Sequence, residues 1–154
     1  MVKIATEENN ELSPIANDVF EAFKEYMFRI SAAGDQLYYT NAGPDSLKLE
    51  LEIHYDPLVL NSLGERLDGT NDTPVEDAIN DYVLGMDFDG KFIPTKFIDR
   101  LQLVEGVKIP HLVLAQTSYG SLSWMDVPVT GVNPFAGYVR VNDPNDLNIQ
   151  YIAG

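Results

Sequence analysis

Leu47-Lys48-Leu49-Glu50-Leu51-Glu52-Ile53-His54-Tyr55-Asp56 alternates apolar and polar residues without interruption. Successive side chains of a β-strand point to opposite faces, so this stretch predicts a strand with one buried face and one wet face. A turn at Ala42, Gly43, Pro44 and Asp45 precedes it. After it, residues 57–72 carry Pro57, Gly64, Asp68, Gly69, Asn71 and Asp72 and read as a loop despite apolar Leu58 to Leu60.

Helices follow the loop. Thr73-Pro74-Val75-Glu76 has the form of a capping box with proline at the first helical position. Val75, Ala78, Ile79, Tyr82, Val83 and Met86 then recur at helical spacing until Gly85 and the turn from Asp87 to Gly90. Thr95 reads as the cap of a short third helix through Phe97, Ile98, Leu101, Leu103 and Val104, ended by Gly106. From Val107 the chain turns β-branched and aromatic, with strands expected over 107–116, 138–141 and 147–152. The last two flank Asn142-Asp143-Pro144-Asn145-Asp146, a turn composition that predicts a C-terminal β-hairpin.

Upstream of the deciding strand, Ser13-Pro14 reads as a helix start. Ile15, Val19, Ala22, Phe23, Tyr26, Met27 and Ile30 continue at three- and four-residue steps to Gly34. Phe20 and Phe28 fall at the edge of this apolar face and mark either a broad buried stripe or a contact surface. Residues 1–12, polar and acidic after a short apolar start, are expected to form a mobile arm. Residues 13–154 are then a single α+β domain: helices packed on a mixed, largely antiparallel sheet.

At 154 residues, one compact core is the default. Folding at this length removes roughly 70% of the unfolded chain's accessible surface, enough to hold a domain without disulfides or metal. With no cysteine, a thiol nucleophile, a CxxC redox pair, thiolate zinc and iron–sulfur clusters are excluded. The net charge of −14 opposes direct binding to nucleic acid and to anionic membranes. No apolar run approaches the roughly 20 residues of a spanning helix, and the N-terminal stretch lacks the apolar core of a secretory signal. The expectation is a protein made in the cytoplasm, with no membrane partner.

Candidate chemistry is sparse. His54 and His111 are the only histidines, and neither has a second histidine at metal-ligand spacing. Asp87-Phe88-Asp89-Gly90 presents an Asp-x-Asp pair of the kind that holds magnesium in nucleotidyl-transferring enzymes, but no Gly-Ser turn precedes it. The same residues fit an ordinary solvated turn. Asp68 to Asp72 lacks the glycine position and closing glutamate of a calcium loop. Asn71-Asp72-Thr73 matches a glycosylation acceptor and, more simply, a loop entering a helix cap. No phosphate-cradling loop, dinucleotide fingerprint or nucleophile elbow is present. The segment 117–138 carries Tyr119, Leu122, Trp124, Phe135 and Tyr138, which either close over the core or serve as interface anchors.

The order Asp68-Gly69, Thr73-Pro74-Val75-x-x-Ala78-Ile79-x-x-Tyr82, an acidic glycine turn, Ile98-x-x-Leu101 and Val104-Glu105-Gly106-Val107 resembles the C-terminal region of baseplate J-like proteins of contractile phage tails. The resemblance spans roughly residues 15–116, and residues 119–151 are similar in style to short prophage-encoded tail proteins. It implies a structural part with no catalytic residues and no cofactor, docking to copies of itself or to other tail proteins and ending in the virion. The alternative expectation is a magnesium-dependent nucleotidyltransferase-like enzyme using Asp87 and Asp89.

Overall fold

The computed structural model describes residues Met1–Gly154. In chain order it holds β1 (Val2–Lys3), β2 (Thr6–Glu8), β3 (Glu11–Ser13), α1 (Asn17–Ile30), β4 (Tyr39–Thr40) and β5 (Asp45–Tyr55). There follow α2 (Pro74–Leu84), α3 (Pro94–Gln102), β6 (Val107–Ser118), β7 (Met125–Asp126), β8 (Val139–Arg140), a 3₁₀ turn (Pro144–Asp146) and β9 (Leu147–Ala153). This is an α+β fold with helices on a mixed sheet, as the sequence predicts.

β5 is the hub of that sheet. β6 runs antiparallel along one side, from Ser46↔Ser118 to Tyr55↔Val107. Two register shifts leave Val113 and Lys108 as extra residues on β6. β8 and then β9 run parallel to the other side, at Asp45↔Val139 and from Leu49↔Leu147 to Tyr55↔Ala153. β7 pairs only with Gln116 and Thr117 of β6. The alternation read from the sequence is realised: Leu47, Leu49, Leu51, Ile53 and Tyr55 are buried, while the residues between them are half-exposed.

The buried face packs against Val75, Ala78, Ile79 and Val83 of α2 and Phe97 and Leu101 of α3. Removing a Leu or Ile side chain from water contributes about 1.5–3 kcal/mol, so the four apolar residues Leu47, Leu49, Leu51 and Ile53 anchor the fold. Tyr82 closes the helix layer. Its ring meets Phe92 and Phe97 edge-on at 5.8 and 5.4 Å, and its hydroxyl donates to the Ile93 carbonyl at 3.3 Å. At the exit of α3, Gly106 adopts φ +92°, and a Cβ there would stand 2.7 Å from Leu60. The loop bearing Leu60 can therefore lie against the strand entry only where the side chain is absent.

Several local expectations are corrected. The segments flanking residues 142–146 do not form a hairpin with each other; both lie along the same side of β5 and head the same way. Asp143 accepts from the Asn145 N–H at 2.9 Å and organises a 3₁₀ turn, which detours the chain without reversing it. Ser13 does not start the first helix. It ends β3, paired with Thr6 across a turn in which Asn9 and Asn10 take φ of 54° and 64°, the geometry that suits tight hairpins. Asn41 then exchanges hydrogen bonds with the N–H and carbonyl of Ile15, both at 2.8 Å, which holds that residue out of the helix until Asn17.

The α2 capping box is also not formed. The Thr73 hydroxyl lies 3.3 Å from Asp77, and Glu76 faces the Tyr151 hydroxyl at 3.4 Å. Asn71 orders the entry instead, accepting from the Thr73 N–H at 2.8 Å and donating to Asp77 at 2.9 Å. α3 begins at Pro94 with Ile93 in the cap position, so Thr95 lies within the helix. Residues 1–12, read as an arm, carry structure of their own: β1 runs parallel to β4, and β2 pairs with β3.

Candidate docking surfaces

α1 presents the first surface. Four of its five charges pair, Glu21 with Lys24 and Glu25 with Arg29, and Lys24 also sits 4.9 Å above the Phe20 ring. Its apolar face has little to rest on. Phe23 meets Tyr39 edge-on at 5.6 Å, yet no residue of α1 is buried. Phe28 is 84% exposed and Tyr26 60%, with Val19, Ile30, Leu37 and Tyr38 also on the surface. An open groove of about 940 Å³ runs between the helix and the 35–39 segment, with Ala22, Phe28, Leu37 and Tyr38 among its walls. Of the two readings of Phe20 and Phe28, a buried stripe does not describe this chain.

The aromatic segment divides. Tyr119 stacks on Phe135 at 4.2 Å, and Leu122 and Phe135 are exposed. Trp124 lies under the Lys48 ammonium at 4.4 Å, and Lys48 is held in turn by Asp146 at 3.2 Å. Tyr138 does not share this surface: it is only 6% exposed, lies beside Phe88, and donates its hydroxyl to the Ala42 carbonyl at 2.8 Å. Burial pushes its phenol above the ordinary value.

Asp45 positions the segment, a role the sequence did not reveal. Its buried carboxylate accepts from the N–H groups of Phe135 and Ala136 at 2.7 and 2.9 Å, fastening the loop to the start of β5. Turn composition concealed it, because an aspartate beside Gly-Pro reads as solvated.

Asp87 and Asp89 are both exposed and serve different neighbours. Asp89, at φ +59°, pairs with Lys3 and donates its N–H to the Gly137 carbonyl at 2.7 Å. Asp87 borders an open groove shared with Asp81, Lys91, Lys96 and Arg100, in which cations outnumber carboxylates. No cluster of three or more His, Asp or Glu side chains converges anywhere in the chain. His111 faces Glu52 at 3.3 Å across the β5–β6 pair, a surface contact. No helix is long and apolar enough to cross a membrane.

Comparisons with protein-family models, with curated proteins and with solved structures found no match.

Proposed function

We propose that this chain is a structural docking component whose N-terminal unit seats on a neighbouring protein, in a phage tail or baseplate-like machine. The observation that carries docking is the aromatic face of α1, displayed on a helix with no buried residue. An isolated helix of this length is marginal in water, so its stability depends on packing, and most of that packing is absent within the chain. Exposed aromatics are what interface cores enrich. The tail setting rests on the motif order from Asp68 to Val107.

The partner class follows from charge. At −14 the chain is repelled by nucleic acid and by other strongly acidic surfaces, which leaves neutral or basic protein surfaces. A photo-crosslinking residue at Phe28, introduced in phage-producing cells, tests the reading. Cross-links to a tail or baseplate subunit are expected. Particles in which Phe28 links to no virion protein would overturn it.

A further inference from the structure

Only one of the sheet's two long edges is defended. Along β6, Pro110 offers no N–H and Lys108 and Val113 are extra residues that break the ladder, devices that stop another strand from adding. β9 has none of them. Leu147-Asn148-Ile149-Gln150-Tyr151-Ile152-Ala153 contains no charge, proline or glycine, and it pairs with β5 without a register shift. An uncharged seven-residue edge is the kind that recruits a further strand.

The hydrogen-bonding sense of that edge follows from Gly154, whose N–H donates to the Tyr55 carbonyl at 3.1 Å. Both backbone groups of a strand residue point the same way and alternate along the chain, so Asn148, Gln150 and Ile152 turn theirs toward β5. Leu147, Ile149, Tyr151 and Ala153 therefore turn theirs outward. The Leu147 N–H is taken by the Pro144 carbonyl, and no group of the chain bonds to those of Ile149, Tyr151 and Ala153.

We infer that this edge pairs with itself, joining β9 of one copy antiparallel to β9 of a second about a two-fold axis at Gln150. That register sets Ile149 opposite Tyr151 and Leu147 opposite Ala153, so the outward groups of Ile149 and Tyr151 all find partners and the Ala153 N–H meets the Leu147 carbonyl. It also places a β-branched residue against an aromatic on the helix-covered face, a favourable cross-strand pair. Leu63, 68% exposed, borders the edge across a groove of about 560 Å³ and extends the apolar contact. The charge pattern selects a second copy. A basic strand would find no anionic row along β9, and an acidic one would meet the repulsion of a −14 chain, whereas a neutral edge matches its own image. The one carboxylate beside it, Glu76, faces the Tyr151 hydroxyl.

Gln150→Lys is the discriminating variant, because Gln150 is exposed and the change brings two ammonium groups together at the axis while lowering the overall negative charge. Sedimentation of the wild-type chain is expected to show a dimer at micromolar concentrations. Q150K weakens association by about tenfold or more, and its melting temperature matches that of the wild-type chain diluted to monomer. An equimolar mixture of Q150K and Q150E restores the dimer. Amide exchange at Ile149, Tyr151 and Ala153 is slow in the wild-type dimer and fast in Q150K. A wild-type chain that stays monomeric, or a Q150K chain that dimerises unchanged, overturns the inference; a mixture that fails to pair overturns the axis at Gln150. The inference stands apart from the α1 reading: Phe28→Glu leaves the β9 pair intact, and Q150K leaves the Phe28 cross-link intact.

Discussion

Residues 1–44 and residues 45–154 are built on opposite principles. The second region contains every buried residue of the chain, and the first contains none, although α1 carries three phenylalanines and a methionine. Amphipathic spacing is thus equally clear in α1 and in α2, but only α2 has a sheet to face. The difference teaches that periodicity specifies which side of a helix is apolar, while tertiary contacts decide whether that side is core or surface.

The largest effect should come from emptying the buried region. Leu51→Ala removes a core side chain under α2 and is expected to cost about 2–5 kcal/mol, read as a fall in the chemical-denaturation midpoint. Asp45→Ala comes next. It leaves the buried Ala136 N–H and the part-buried Phe135 N–H without their acceptor, a loss of about 1–3 kcal/mol, and amide exchange at those two positions should accelerate. Both changes sharpen the contrast if α1 keeps its helical signal while the sheet weakens.

Alkaline pH probes the same region through its tyrosines. Burial raises the phenols of Tyr82, Tyr138 and Tyr151 above the ordinary value of 10.0, and Glu76 pushes Tyr151 further. The unfolded chain then loses these protons first, so stability is intact below pH 10 and falls as pH rises beyond it. Melting temperature followed against phenolate absorbance checks the sign. The smallest expected effect belongs to Phe28→Glu, within about 0.5 kcal/mol, because the ring is already in solvent. A large destabilisation there would break the comparison, since α1 would then be packed in solution.

How much of this was legible depends on range. β5, α2, α3 and most of β6 follow from patterns repeated every two or three to four residues, and those patterns report directly on faces. The caps failed where a competitor outbid the local residue: Asn71 displaced the Thr73 hydroxyl, and Asn41 held Ile15 extended. The hairpin failed because a turn composition shows that a chain bends, without showing whether it comes back. In the candidate surfaces, the sequence left Leu122, Phe135 and Tyr138 open between core cover and interface; Leu122 and Phe135 are exposed, while Tyr138 went to the interior through a carbonyl distant in sequence. Asp45 and the bare edge of β9 left no local trace, since each is defined by strands that meet only on folding.

The proline and the two extra residues on β6 set the valence of the molecule. With one edge closed to strand addition and the other open, the pairing proposed for β9 would join a copy to a single mate, because a two-fold contact consumes both open edges at once. Growth stops at the pair, and no ribbon can propagate from it.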